Sequence, residues 1–197
     1  MNYLGHLYFS GTDPELQIGG LLGDFVKGPL RGRFPAGIEA GIRRHREIDA
    51  LCAELAPIRA LVASFDRPWR RYAAIAIDVA FDHQLARDWA RYHSRPLPEF
   101  CRSFYRALAG HRALLPERAR LFCDHAPRQQ LLERYGEAEH MRLVLARIGR
   151  RLRKPVALEQ LWEMLADRSP AVTGAFRHTM AAVTLGCGLR LDAGGRL

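Results

Sequence analysis

The sequence predicts an all-α protein that folds as a single-domain helical bundle. Apolar residues recur at helical spacing along most of the 197 residues, and no alternating strand pattern of useful length accompanies them. Prolines and glycines divide the chain into segments of helical length. A chain of this length is enough for one domain with a sizeable core and is short for two.

The predicted helices follow one another between these breakers. In chain order they span residues 15–26, 35–55, 57–64, 68–92, 97–109, 111–123, 127–135, 137–150, 157–166 and 170–184. The first ends before Gly28-Pro29, and several later ones begin at a proline such as Pro68, because the first helical turn tolerates one. We expect residues 1–185 to form the domain and the Gly-rich tail 186–197 to be poorly ordered.

The composition is that of a globular protein of the cytoplasm. Apolar residues make up 48% of the chain and charged residues 26%. No apolar run approaches the roughly 20 residues that span a bilayer, and the first residues lack the basic region of a signal peptide. The four cysteines are scattered without a CxxC pair, so we expect no disulfide framework and a reducing compartment.

The net charge of +9 favours an acidic partner. Only Lys27 and Lys154 are lysines, and the other basic residues are arginines. A GC-rich genome explains this bias equally well. Composition does not choose among an acidic protein, a nucleic acid and an anionic membrane.

Two segments place polar side chains inside apolar helical stripes. In residues 75–89, IAIDVAFDHQLARDW, Asp78 and Asp82 lie about 40° apart at about 100° per residue, on the stripe of Leu85. Residues 41–52, GIRRHREIDALC, repeat the arrangement, with His45 and Asp49 on the stripe that carries two isoleucines. Each helix therefore directs two potential ligands towards a core.

Carboxylates inside apolar stripes need a partner, because burying an unpaired charge costs several kcal/mol. A metal ion is one solution, since ligands four residues apart on one helix reach the same ion. The set His45, Asp49, Asp78 and Asp82 predicts a buried site for Mn²⁺, Mg²⁺ or Fe²⁺ that hydrolyses a phosphoester. The alternative is that arginines pair with the acids and His45 makes a hydrogen bond in the core.

Three further residues are weaker candidates when each is taken alone. Asp24, in GGLLGDFVKG, stands near a helix end, where an aspartate is commonly a cap. His6 lies in an apolar stretch, where a lone histidine is usually hydrogen-bonded in the core. His83 points about 100° away from the carboxylate stripe.

Together these segments resemble the acyl carrier protein phosphodiesterase family. The resemblance is carried by MNYLGHL, GDFVKG, GIRRHREIDAL and IDVAFDHQLARDW, in this order and spacing, and runs from Met1 to about Trp89. It continues more loosely into LLERYGEAEHMRLVLARIGRRL, and the last thirty residues match poorly.

The resemblance implies a distorted version of the helical HD-phosphohydrolase fold and dependence on a divalent cation, typically Mn²⁺. It further implies cleavage of the phosphodiester that joins 4′-phosphopantetheine to a serine of holo-acyl carrier protein, an acidic protein partner. The residues carried over are His6, Asp24, His45, Asp49, Asp78, Asp82 and His83. The adjacent pair here is Asp82-His83, whereas HD proteins have His-Asp.

The roles that we expect fall into three groups. The catalytic residues are His6, Asp24 and His83, and the metal ligands are Asp24, His45, Asp49, Asp78 and Asp82. Candidates that bind the phosphate are Lys27, Arg43, Arg44 and Arg46. An arginine-rich face that steers the acidic carrier protein is expected around these arginines and around Arg147, Arg150, Arg151 and Arg153.

Two other functions stay open. One is an HD-type nucleotide phosphohydrolase with a small-molecule substrate. The other, with less support, is a basic nucleic-acid-binding module. Its only support in the sequence is the mixed aromatic and basic segments WRRY and FCRSFYR. We expect neither a nucleic acid nor a membrane as partner, and the sequence does not indicate the oligomeric state.

Overall fold

Helices alone build the part of the protein that the computed structural model describes, residues 1–189 and 196. In chain order they are α1 (Tyr3–Phe9), α2 (Pro14–Leu22), α3 (Ala36–Glu54), α4 (Ala56–Ala63), α5 (Arg70–Arg87), α6 (Trp89–Tyr92), α7 (Leu97–Gly110), α8 (Glu117–His125), α9 (Ala138–Arg151), α10 (Gln160–Ala166) and α11 (Ser169–Gly186). Two 3₁₀ turns, Arg112–Leu114 and Glu133–Gly136, lie between them. The all-α prediction is confirmed, and the likeness to the HD fold stays a prediction.

The longer helices begin and end close to their predicted bounds, but two predicted helices are wrong. The segment 111–123 starts as a 3₁₀ turn, and α8 begins only at Glu117. Pro116 explains the break, because proline has no N–H to donate and suits a helix start better than a helix interior. The segment 127–135 is a run of turns in which Gln130 has a positive φ of 47°, a conformation that interrupts a helix.

Both ends of the described chain differ from the prediction. The helix α1 was not predicted, since it has seven residues and its N-cap residue, Asn2, makes no side-chain capping bond. At the other end α11 continues to Gly186, and Cys187 follows as its C-cap, so the predicted tail begins as ordered structure. Residues 190–195 and 197 of that tail lie outside the described residues.

The helices α2 and α3 pack closely through two glycines. A Cβ atom built on Gly19 would overlap the carbonyl oxygen of Ile38, and one on Gly41 would overlap that of Leu16. Backbone therefore meets backbone at this crossing, and no side chain larger than hydrogen fits. The contact holds the His45 segment of α3 against the end of α2.

The helix α5 lies at the centre of the bundle. It packs against α1, α4, α9, α10 and α11 and against the Glu133–Gly136 turn. Ile77, Phe81 and Leu85 are fully buried, and the Phe81 ring meets Phe176 of α11 edge-on at 5.7 Å. Among the described helices, none has the length and apolar character needed to cross a membrane.

Candidate metal centre

The helices α1 and α3 bring two histidines and one aspartate together. Within the described ranges, His6, His45 and Asp49 are the one group of three or more potential ligands whose ligand atoms all lie within 4.8 Å of one another. The Nε2 atoms of His6 and His45 each lie 3.2 Å from a different Asp49 oxygen. The two imidazole rings stack at a centroid distance of 3.6 Å. We call these three residues the His-His-Asp cluster.

The ring of His45 is oriented by the backbone of α2. Its Nδ1–H donates to the carbonyl of Gly20 at 2.7 Å, which directs Nε2 at the cluster. Gly23 makes room for the ring, because a Cβ atom at that position would overlap the imidazole. A histidine held by a carbonyl through one nitrogen is the usual arrangement of a metal-binding histidine.

His6 is buried and electrically neutral. Burial is the main cause that lowers its pKa to about 4, although the hydrogen bond with Asp49 opposes this change. Its Nε2 also donates to the carbonyl of Met1 at 2.9 Å, whereas its Nδ1 is buried and, among the described residues, has no hydrogen-bond partner. Neutral imidazole is the form that binds a metal.

Asp49 carries the negative charge of the cluster. Burial raises its pKa, but the hydrogen bonds from His45 and His6 outweigh this effect and hold the pKa well below its usual range. Its side chain is 49% exposed, and that of Asp78 is 41% exposed. The expectation of a buried site therefore needs correction: His6 and His45 are buried, whereas Asp49 and Asp78 are partly open to solvent.

The aspartates of α5 contact the N-terminal segment. Asp78 Oδ1 lies 3.0 Å from the α-amino nitrogen of Met1, and Asp49 Oδ1 lies 3.8 Å from it. Burial lowers the pKa of this amine, but the charges of Asp78, Cys52 and Asp49 together raise it to about 11. The amine is therefore a buried cation that offsets the carboxylates, a partner that the sequence analysis did not identify.

Asp82 acts as a remote cap for α1. Its Oδ2 accepts the N–H of Leu4 at 2.7 Å, and its Oδ1 accepts the N–H of Gly5 at 3.0 Å. These are N–H groups of the first helical turn, which have no partner inside the helix. Burial raises the Asp82 pKa to about 7, whereas the Met1 amine and these two bonds lower it. Asp82 thus holds the helix that carries His6, outside the His-His-Asp cluster.

Replacing Asp82 by alanine is expected to lower the free energy of unfolding by about 2–6 kcal/mol, because two buried N–H groups lose their acceptors at about 1–3 kcal/mol each. Urea denaturation followed by circular dichroism measures this loss. The exposed Asp167 provides the control, since Asp167→Ala should change stability by less than about 0.5 kcal/mol. Equal stability of the two variants would show that Asp82 does not hold α1.

The other predicted residues lie around the cluster or away from it. Asp24 Oδ1 is 3.9 Å from His45 Nε2, and burial raises the Asp24 pKa although the charge of His45 lowers it. His83 Nδ1 is bonded to the Tyr135 carbonyl at 2.8 Å, and its ring meets Trp162 edge-on at 5.1 Å. The structure therefore brings Asp24 to the margin of the cluster and gives His83 partners in the bundle.

The predicted phosphate-binding residues differ in their surroundings. Lys27 is exposed. Arg43 lies 3.5 Å from Glu39 in an ion pair. Arg44 donates to the carbonyl of Phe9 at 3.2 Å, and Arg46 donates to that of Val26 at 3.0 Å. Arg44 and Arg46 thus tie α3 to neighbouring backbone, and their role towards a substrate stays a prediction.

The donor set fits a divalent cation of the first transition series. Imidazole nitrogen suits metals such as Fe²⁺ and Zn²⁺, and carboxylate oxygen suits Mn²⁺ and Mg²⁺. Two imidazoles beside one ionised carboxylate supply both kinds of donor. A cation held by these residues would compete with protons for the imidazole nitrogens, so metal affinity should fall at low pH.

The chain is similar to known proteins over most of its length. The sequence pattern of the family described as acyl carrier protein phosphodiesterase matches residues 1–183. A protein of that name from Serratia proteamaculans (strain 568) is 36% identical over 159 residues, 80% of this chain and 82% of its own. One from Enterobacter sp. (strain 638) is 32% identical over 180 residues, 89% and 92% of the two chains.

A third relative, from Yersinia pestis, has the same name and is 32% identical over 175 residues, 85% of this chain and 91% of its own. No solved structure matches the chain. The matched region includes every residue of the His-His-Asp cluster and the helices that hold it. The chain belongs to the acyl carrier protein phosphodiesterase family.

Proposed function

We propose that this protein is a metal-dependent phosphodiesterase that acts on holo-acyl carrier protein. It hydrolyses the bond between 4′-phosphopantetheine and the carrier serine and releases apo-acyl carrier protein and 4′-phosphopantetheine. The observation that carries the proposal is the His-His-Asp cluster, half open to solvent, inside the region that matches the family.

His6, His45 and Asp49 would hold the cation, with Mn²⁺ as the expected metal and Mg²⁺ or Fe²⁺ as the alternatives. Asp24 and Asp78 stand beside the cluster and are the further carboxylates within reach of the site. A divalent cation bound there would polarise the phosphate and make a bound water more acidic. A ligand role for Asp82 stays a prediction, since both of its oxygens already accept backbone N–H groups.

Residues of the protein hold the groups of the site in position around the phosphate. The Gly20 carbonyl fixes the His45 ring, Asp49 joins the two imidazoles, and Asp82 holds α1 so that His6 faces them. Asp24, half exposed at the margin of the cluster, is accessible to a substrate. His6 is enclosed, and burial lowers its pKa to about 4, so its neutral imidazole suits a ligand better than a proton donor.

The charge of the protein suits a carrier protein as substrate. A net charge of +9 attracts an acidic protein from a distance and speeds its association at low ionic strength. The expected consequence is a kcat/KM that falls as salt rises, because salt screens attraction between exposed charges beyond about 8–10 Å.

The test is to incubate the purified protein with Mn²⁺ and holo-acyl carrier protein and to follow the carrier by mass spectrometry. We expect the carrier to lose the mass of the prosthetic group, and free 4′-phosphopantetheine to form in equal amount. A chelator should stop the release, and added Mn²⁺ should restore it. A nucleotide panel run in parallel tests the alternative substrate class.

Two outcomes would reject the proposal. One is no release with any divalent metal. The other is hydrolysis of a nucleotide by a protein that leaves the carrier intact, which would favour the HD-type nucleotide phosphohydrolase.

A further inference from the structure

A groove of about 710 Å³ lies beside the His-His-Asp cluster. Its walls come from α8, α9 and the N-terminal segment, and Asp24 is part of them. Through Asp24 the groove adjoins the cluster, because Asp24 Oδ1 is 3.9 Å from His45 Nε2. The volume falls within the range of about 300–1,000 Å³ typical of small-molecule sites.

One part of the wall is strongly cationic. Arg118 of α8 and Arg147 and Arg151 of α9 line the groove, and all three are exposed. Within the described part of the chain, none of them forms an ion pair. The charges of Arg118, Arg151 and Asp24 all act on the hydroxyl of Tyr3, whose pKa is raised to about 12, chiefly by burial. Arg118 and Arg151 thus share the surroundings of Tyr3 with Asp24, the carboxylate that adjoins the cluster.

The rest of the wall is aromatic and aliphatic. Tyr3 stacks on Phe25 at a centroid distance of 6.2 Å and meets Phe122 edge-on at 5.2 Å. Leu121 of α8 lines the groove and is 54% exposed, which is unusual for a large apolar side chain. A groove with a cationic part and an apolar part suits a ligand with one anionic end and a mainly neutral chain.

We propose that this groove binds the 4′-phosphopantetheine arm of the carrier protein, with the phosphate near Asp24 and the arginines. The inference rests on the proposed function and extends it to residues of α8 and α9. The arm is a single extended chain with a phosphate at one end, a branched dimethyl carbon, two amides and a terminal thiol. Its phosphate matches the arginines, its alkyl groups match Phe122 and Leu121, and the side-chain amide of Gln129 in the wall is available to its amides.

If the groove binds the arm, the arginines of the predicted arginine-rich face differ in function. Arg147 and Arg151 point into the groove and serve the arm, whereas Arg150 between them is exposed and is not part of the wall. Arg118 was not singled out from the sequence, since it lies on α8, far along the chain from the motifs.

Direct binding of free 4′-phosphopantetheine tests the inference without turnover. Isothermal titration calorimetry of the full chain with Mn²⁺ should show binding that weakens about tenfold or more in R118A/R151A, because a hydrogen bond to a charged group contributes at least about one factor of ten. R120A/R128A removes two exposed arginines from the same region outside the wall and should bind as the unchanged protein does.

A second pair of variants tests the effect of filling the groove with a bulky side chain, without changing any charged residue. Leu121→Trp should weaken binding of 4′-phosphopantetheine and of pantetheine, which lacks the phosphate. Leu143→Trp places the same bulk on an exposed position of α9 outside the wall and should have no effect. Thermal melts of all variants establish that each is folded.

Equal binding by R118A/R151A and R120A/R128A, or full binding by Leu121→Trp, would overturn the groove assignment. So would tighter binding of AMP than of 4′-phosphopantetheine, with AMP alone sensitive to Leu121→Trp. The proposed function fails separately, by absence of release from the carrier. If release occurs and the groove variants bind the product normally, only the groove assignment is lost.

Discussion

Asp49→Asn is expected to lower kcat/KM for holo-acyl carrier protein by roughly a thousandfold. An amide keeps the shape of the side chain but removes the charge that both imidazoles contact at 3.2 Å. A bound cation supplies several kcal/mol of transition-state stabilisation, and each 1.36 kcal/mol corresponds to a factor of ten in rate. The same variant should bind Mn²⁺ much more weakly, as measured by equilibrium dialysis with metal analysis.

Glu47→Gln provides the matched control for this prediction. Glu47 lies two residues before Asp49 on α3, is exposed and stands outside the cluster, so both activity and metal content should stay near those of the unchanged protein. Loss of activity in both variants would point to the overall charge of α3. Unchanged metal content in Asp49→Asn would mean that the cation, if present, is held elsewhere.

Gly41→Ala is expected to destabilise the protein by about 3 kcal/mol, since overpacking a tight contact typically costs about 1–3 kcal/mol, and more where backbone has to move. The added methyl group would overlap the Leu16 carbonyl and approach the Cα atom of Gly19 to 2.8 Å, and neither is the end of a flexible side chain. Activity should also fall, because Gly41 lies one turn before His45. Urea denaturation measures the change in the free energy of unfolding.

Gly174→Ala is the matched control for this second prediction. Gly174 is inside α11, and a Cβ atom there meets no heavy atom within 4 Å. Alanine in a helix interior is favoured over glycine by roughly 0.5–1 kcal/mol, so this variant should be slightly more stable. Similar destabilisation by both substitutions would show that the α2–α3 contact is looser than the structure indicates.

The longer helices and one half of the candidate site could be predicted from local patterns. The four-residue spacing of His45 and Asp49 places both on one face of α3, and the structure brings them together with Nε2 and Oδ2 3.2 Å apart. Helical periodicity is a property of neighbouring residues, so a sequence carries it directly. The same reasoning placed Asp78 and Asp82 on one face of α5, where both contact the N-terminal segment.

The role of Asp82 could not be predicted in the same way. Periodicity shows that its side chain points inwards, and the side chain is indeed fully buried. Its partners, however, are backbone N–H groups 77 and 78 residues away on a helix that has no sequence signal of its own. An inward carboxylate has several possible partners, and only the packing of α1 against α5 selects one.

The sequence by itself determined the helical class, most helix bounds and the polar residues that face inwards, because each depends on neighbours within a few turns of chain. The tertiary structure decided which of these residues meet. It joined His6 to His45 and Asp49, assigned Asp82 to α1, and placed Arg118 and Arg151 around a groove beside Asp24. These contacts connect residues far apart in the chain, and packing of the helices, including backbone contact at Gly19 and Gly41, sets their distances.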